Sequence, residues 1–175
     1  RDSTRSNSSA DPEEFGSLRA TQVYQRFAYK EAFRNLYTSL RFLNTGDNLH
    51  AVGLTSCTPN EGKSLVNVLL AKTIAEMGQR VLLIDVDMRK PQVYHRLGIN
   101  NLVGLSTLLA EERNWQQALV KVPGYDNWWV IPAGLRPPDP TRLLSSERMQ
   151  KLMMEIKASN QFDLILFDTP PVIGL

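Results

Sequence analysis

The chain has 175 residues, 42% of them hydrophobic and 22% charged, with a formal net charge of +2. That length suits one α/β domain with a sizeable core but not comfortably two, and so slight a charge excess, without any Lys/Arg run, gives no reason to expect a nucleic acid partner. A single cysteine excludes an intrachain disulfide framework and suits a reducing cytosol, and no apolar run approaches the roughly 18 residues that span a membrane.

Taken in chain order, residues 1–17, "RDSTRSNSSADPEEFGS", are polar and Ser-rich and lack a hydrophobic period. They are expected to be a disordered lead-in, and "EFGS" is what a pair of common cloning sites would encode, so the folded domain is expected over residues 18–175. Residues 31–43 carry apolar side chains at 33, 36, 40 and 43, a helical spacing stopped by Gly46. "AVGLTS" (51–56) is a short apolar strand. Residues 64–77 predict an amphipathic helix through Leu65, Val68, Leu69, Ala71, Ile74 and Ala75, ended by Gly78. "RVLLIDVD" (80–87) has the continuous apolar character of a strand covered on both faces. Residues 102–120 predict one or two short helices, and "WWVIPAG" (128–134) another buried strand before the Pro-rich loop "LRPPDP". Residues 145–159 predict a helix and "FDLILFD" (162–168) a last strand. The chain then stops soon after that apolar signal, so the domain is expected to be incomplete at its C-terminus. Strands alternating with helices imply a mostly parallel sheet with helices on both faces, a three-layer α/β fold.

Between the first strand and the second helix lies "SCTPNEGKSL" (56–65). It ends as a phosphate-binding loop ends, in Gly-Lys-Ser, and it links a strand to a helix as such a loop must. Main-chain N–H groups of a tight loop and the positive end of a helix converge on phosphate oxygens. Gly62 permits close backbone approach, Lys63 supplies a point charge to the β and γ phosphates, and the Ser64 hydroxyl can ligate Mg²⁺. The first glycine of the usual pattern is replaced by Cys57, read either as a small packed residue or as a redox-sensitive thiol. Asp85 and Asp87 end one strand and Asp168 ends another. Ligands of open α/β sheets sit beyond those carboxyl ends, so three carboxylates there form a credible Mg²⁺-phosphate site.

"SCTPNEGKS", "LLIDVDMRKP" and "LILFDTPPV" resemble the Walker A, Walker A′ and Walker B motifs of bacterial tyrosine kinases (BY-kinases), P-loop NTPase-like domains attached to exopolysaccharide export machinery. "VIPAGLRPPDPTRLLSSERM" resembles a further stretch of that family, and the likeness covers about residues 30–173. The family's loop reads S-x-x-P-x-x-G-K-[ST], so Ser56, Pro59, Gly62, Lys63 and Ser64 all match. The resemblance implies ATP and Mg²⁺ as cofactors. It implies nucleotide contacts from Ser56, Thr58, Pro59, Asn60, Glu61, Gly62, Lys63, Ser64 and Leu65, and metal ligation by Ser64, Asp87 and Asp168. The implied reaction moves the γ-phosphoryl group to tyrosine hydroxyls, with Lys63, Asp85, Asp87 and Arg89 as the catalytic set. Asp85 is the candidate to accept the tyrosine proton, although Asp87 could trade places with it. Arg89 either stabilises phosphate charge or pairs with an Asp. Septum-site and partition ATPases carry an additional lysine where Thr58 stands, which makes them the runner-up; a non-catalytic nucleotide-dependent scaffold is a third reading.

"EAFRNLYTSLRF" resembles the family's E-x-x-R-x-x-R helix, which mediates ring-like self-association. Glu31 and Arg34 match, the third position is Tyr37, and Arg41 lies a turn further on. Tyr37 is read as a stacking contact or a phosphorylation site. The resemblance also implies a transmembrane activator domain or subunit and a cytoplasmic domain associated with the bacterial inner membrane. The family's terminal tyrosine cluster is not seen: Tyr24, Tyr29, Tyr37, Tyr94 and Tyr125 are scattered. Segments that contact adenine in the family are also missing, so nucleotide binding by these residues alone is expected to be weak or absent.

Overall fold

Five strands build one sheet: β1 (Ala51–Leu54), β2 (Val81–Asp85), β3 (Val120–Lys121), β4 (Trp128–Ile131) and β5 (Leu164–Asp168). Their spatial order is β1-β5-β2-β4-β3; every pair is parallel except β3 with β4, which is antiparallel. The structure is a computed structural model describing residues 12–43, 50–111 and 113–173. The helices are α1 (Pro12–Leu43), α2 (Lys63–Glu76), α3 (Val93–Leu97), α4 (Leu105–Ala110), α5 (Pro140–Leu144) and α6 (Glu147–Ala158), with a 3-10 turn at Trp115–Ala118. Short β-α-β connections force parallel pairing, because each strand must be re-entered from the same edge.

Alternate side chains of each strand point to opposite faces, and the sheet separates two apolar cores. Val81, Leu83, Leu164 and Leu166 pack with α1, α2 and Val93 of α3. Leu82, Ile84, Ile131 and Ile165 pack with α4, Trp115 and α6. The expected three-layer α/β architecture is therefore the one that forms.

Three expectations change in detail. The helix expected over 31–43 begins at Pro12, so residues 12–17 belong to α1 rather than to a lead-in. Proline suits a first helical position and the glutamates at 13 and 14 suit the positive end of a helix. Residues 1–11 and the stop at Gly46 lie outside the described residues. Second, α2 is not amphipathic: Ser64, Asn67, Val68, Leu70, Ala71, Thr73, Ile74 and Ala75 are all buried, whereas Leu65 is exposed. The cause is α1, which packs on α2's outer side and is tied to it by Lys30–Glu76 at 3.3 Å. Third, the most buried of the described α1 side chains is Tyr37, only 4% exposed, with Phe33 packed beside it, while Leu36 faces outward. The Arg41 guanidinium lies 5.9 Å from the Tyr37 ring centroid, within one chain. Tyr37 is thus a core side chain, and neither a ring contact nor an accessible phosphorylation site; Glu31, Arg34 and Arg41 remain on the surface.

The loop after β4 is stitched to the start of α4. Leu105 and Ser106 donate backbone N–H groups to the Pro132 and Ala133 carbonyls at 2.8 and 2.9 Å. The Asn101 side chain brackets Gly134, donating to its carbonyl and accepting from its N–H, each at 2.9 Å. Gly104 is required here for space, since its backbone is extended. A Cβ on it would sit 2.3 Å from both the Gly134 nitrogen and the Pro132 oxygen. Gly104→Ala should therefore destabilise by on the order of 3 kcal/mol, a fall in Tm of about 6–12 °C for a chain of this size; thermal denaturation followed by circular dichroism reads it.

Candidate functional site

The site stands where β1, β5 and β2 end flush. Their register sets Leu54 opposite Asp168, and Asp168 opposite Asp85, so two carboxylates from neighbouring strands share one edge. The loop 55–62 rises from β1 over that edge and turns into α2 at Gly62, whose φ of 84° is left-handed. Nothing lies within 4 Å of a Cβ built there, so backbone conformation is what demands glycine. Asn60 also adopts a positive φ, 67°. No side chain caps α2, which leaves its first amides directed at the cleft.

The cleft holds about 200 Å³ and is lined by Ser56, Pro59, Asn60, Glu61, Gly62, Lys63 and Ser64, by Asp87, Arg89, Lys90, Gln92 and Arg96, and by Pro170 and Pro171. The prolines reach it because residues 169–173 run beside the loop: Val172 and Ile173 donate to the Ser56 and Cys57 carbonyls, each at 2.9 Å. Of the sequence-derived residues, Thr58, Leu65, Asp85 and Asp168 do not line it. Thr58 is exposed and serves the loop's own bonding; Leu65 is exposed on α2.

Lys63 does not stand free in the cleft. Its Nζ is 2.7 Å from Asp168 Oδ1, with side-chain exposures of 8% and 0%. Asn67, one helical turn on, donates Nδ2 to the same oxygen at 2.9 Å. Asp168 Oδ2 is buried with no hydrogen-bond partner among the described residues. Asp85 is fully buried, and its two oxygens accept from the Asp87 and Val93 N–H groups at 3.1 and 3.2 Å. Burial first, and then the Asp168 charge, push the Asp85 carboxyl up to about 8. Asp87 faces the cleft at 7% exposure, and its Oδ1 accepts from the Lys90 N–H at 3.0 Å. Arg89 forms no ion pair among the described residues.

Glu61 closes the loop on itself. Its Oε2 accepts from the Cys57 and Thr58 N–H groups at 2.9 and 3.2 Å, and those bonds, Thr58's first, hold its carboxyl below the usual range. Cys57 is exposed rather than packed.

Whether these residues suit Mg²⁺ turns on the unpartnered Asp168 Oδ2, an oxygen ligand of the type that ion takes. Ser64 and Asp87, both buried, add further oxygens. Among the described residues no group of three or more His, Cys, Asp or Glu side chains is placed to hold a metal by itself. Mg²⁺ usually binds through one or two carboxylates with phosphate and water completing the shell, so the residues fit a partial site of that kind.

Sequence reading had missed Asn67, Lys90, Gln92, Arg96, Pro170 and Pro171. Asn67 did carry a signal: a polar residue four places after Lys63 in the otherwise apolar run 65–71. The two prolines stood in the motif "DTPP" without a contact assigned.

Because Asp85 is protonated when folded but ionised when unfolded between 3.8 and about 8, folding takes up a proton across that window. Stability therefore falls as pH rises through it, and the loss is complete above the folded-state value. Asp85→Asn should flatten that slope, so that its Tm difference from the wild type shifts in the variant's favour by at least about 5 °C between pH 4 and pH 8, even though the amide can accept only one of the two backbone N–H bonds. Melting curves between those limits measure it.

Residues 60–175 match the model of a family described as an AAA domain. Tyrosine-protein kinase YwqD of Bacillus subtilis is 37% identical over 145 residues, covering 83% of this chain and 60% of that protein. Tyrosine-protein kinase Wzc of Salmonella typhimurium is 41% identical over 145 residues, covering 83% of this chain and 20% of its own length. The chain thus spans three-fifths of one relative and one-fifth of the other. The kinase domain of Escherichia coli tyrosine kinase ETK superposes with a TM-score of 0.76 at 34% identity, covering 83% of this chain and 56% of that one. The septum site-determining protein MinD of Pyrococcus horikoshii, complexed with Mg-ADP, shares the fold at a TM-score of 0.60 and 21% identity, over 71% of this chain and 50% of its own. The motifs at the sheet edge and these likenesses agree: the chain belongs to the AAA-domain family of P-loop proteins and is similar in sequence to bacterial tyrosine kinases.

Proposed function

We propose that these residues form the core of an ATP-dependent protein-tyrosine kinase domain, acting largely on its own tyrosines and regulating polysaccharide polymerisation or export. The observation that carries this reading is the cleft in which loop 56–64, Lys63 and Asp87 converge above the buried Asp168. Phosphoryl transfer asks mainly for positioning and charge neutralisation, and this edge supplies both.

The amides opening α2 bind the β-phosphate, with Gly62 allowing close approach. Lys63 exchanges its bond with Asp168 for the β–γ bridging region, which it can reach by rotating a flexible side chain from the cleft's floor. Arg89, with no carboxylate of its own, adds charge toward the γ-phosphate. Asp87 rather than Asp85 takes the tyrosine proton: it faces the cleft, whereas both Asp85 oxygens are occupied by backbone donors in the core. The tyrosine oxygen then forms the new bond to the γ-phosphorus, the bond to the β–γ oxygen breaks, and ADP leaves. Mg²⁺, which Ser64 and Asp168 would hold, would neutralise charge on the β and γ phosphates and leave an Asp87 oxygen for the proton.

On this reading the parent protein works at the cytoplasmic side of a bacterial inner membrane, attached through an activator domain or subunit; among the described residues no helix is long and apolar enough to cross a membrane. Glu31, Arg34 and Arg41, all exposed on α1, are the surface proposed for self-association. A partition-type ATPase is disfavoured by Thr58, which replaces the signature lysine of that group.

Lys63→Met in the complete protein should lower phosphotyrosine after incubation with Mg-ATP by at least about 100-fold, since it removes a charge used in the transition state. Blotting and mass-spectrometric mapping read the outcome. Undiminished phosphotyrosine would refute the assignment, and inorganic phosphate released by a wild type that carries no phosphotyrosine would replace it with the ATPase reading.

A further inference from the structure

We infer that Asn67 is a positioning residue for the metal-bearing carboxylate: it holds Asp168 in place when Lys63 leaves it for the nucleotide. The inference rests on the proposed nucleotide site and adds a residue that neither the motifs nor the family pattern quoted above assigns.

Asp168 is completely buried at the end of β5, and the side-chain donors that reach it among the described residues are Lys63 Nζ and Asn67 Nδ2, both on Oδ1. Lys63 cannot serve Asp168 and a phosphate with the same ammonium in full. Once it turns to the nucleotide, the Asn67 amide is the donor that remains. Asn67 lies four residues after Lys63, so the two side chains share one face of α2, and Asn67 is fixed by complete burial. A carboxylate held by a single oxygen keeps its orientation, and the held oxygen is Oδ1. The other, Oδ2, is left as the unpartnered ligand. Without that amide, Oδ1 would lose its last side-chain donor, and packing alone would decide which oxygen faces the metal.

The state of Asn67 itself argues against a purely structural role. Its own Oδ1 is buried with no donor among the described residues. Burying an amide half-satisfied costs free energy that an apolar side chain of similar volume would not. The other wholly buried side chains of α2, Leu70, Ala71 and Ile74, are apolar. Asn67 is therefore retained at a cost, and its one side-chain bond to another side chain is to the carboxylate that the site needs.

The test is ADP binding to the complete protein by isothermal titration calorimetry, in excess Mg²⁺ and in EDTA, for the wild type, Asn67→Ala and Asn67→Leu. The leucine variant fills the volume, so it reports even if the alanine variant fails to fold. The wild type should bind more tightly with Mg²⁺. Both variants should lose roughly tenfold of that Mg²⁺-dependent gain and bind within about twofold of wild type in EDTA. Variants that keep the full Mg²⁺ gain would overturn the role of Asn67 and leave the nucleotide site standing. So would variants that lose affinity equally in both conditions. A wild type that binds no nucleotide in either condition would overturn the site and this inference together.

Discussion

Two carboxylates in register on adjacent strands, and one lysine to neutralise them, set the terms of this structure. Parallel pairing of β2 with β5 brings Asp85 and Asp168 level at the sheet edge, inside the protein. Neighbouring buried charges of one sign are expensive. The fold answers in two ways: Lys63 reaches from the first turn of α2 to pair with Asp168 at 2.7 Å, and Asp85 holds its proton to about pH 8. Breaking the Lys63–Asp168 pair without replacement would leave a buried charge uncompensated. A polyanion in the cleft would give Lys63 another partner, and a cation would give Asp168 one, which is the exchange the proposed nucleotide site calls for.

That exchange explains how the surrounding elements are built. The loop 55–62 is held by its own backbone, by Glu61 and by residues 169–173, instead of by a first glycine. The Glu61 carboxylate bridges the Cys57 and Thr58 amides. The chain beyond Asp168 returns along the loop through Val172 and Ile173. Those bonds keep the loop ordered at its base while the amides at the start of α2 stay available. Cys57, with an exposed side chain, therefore contributes its N–H to the loop and does not plug a core position. On the far side of β2, Gly104 and Gly134 let two backbones approach closely, and Asn101 bonds both polar groups of Gly134. The loop leaving β4 is thereby fixed at the same sheet edge.

The α1 helix shows how one surface can be mistaken for another. Its sequence carries apolar residues at 33, 36, 37 and 40, and more than one inward face satisfies that pattern. Packing on α2 selects the face with Phe33 and Tyr37, and it sends Leu36 outward. A tyrosine buried this way has its phenol pKa raised by desolvation, with Arg41 opposing the rise. The polar residues Glu31, Arg34 and Arg41 stay exposed on the helix surface.

Local patterning was enough to expose the strand-loop-helix unit, the three acids at strand ends and the alternation that makes a parallel sheet. Each is a short-range property: a run of apolar residues, a Gly-Lys-Ser at a helix start, an Asp where such a run stops. What a linear pattern does not carry is strand order, register and which faces meet. Those depend on contacts between residues about 100 positions apart, such as Lys63 with Asp168 and Asn67 with Asp168. Hence the sequence named Lys63 and Asp168 as members of one site, but only the folded chain made them partners. It offered Asp85, with Asp87 as the alternative, to accept the tyrosine proton, and only the folded chain showed both Asp85 oxygens buried and held by backbone N–H groups. Asn67 read as an ordinary helix residue until β5 was placed beside α2, because a side chain's chemistry is set by what packs against it.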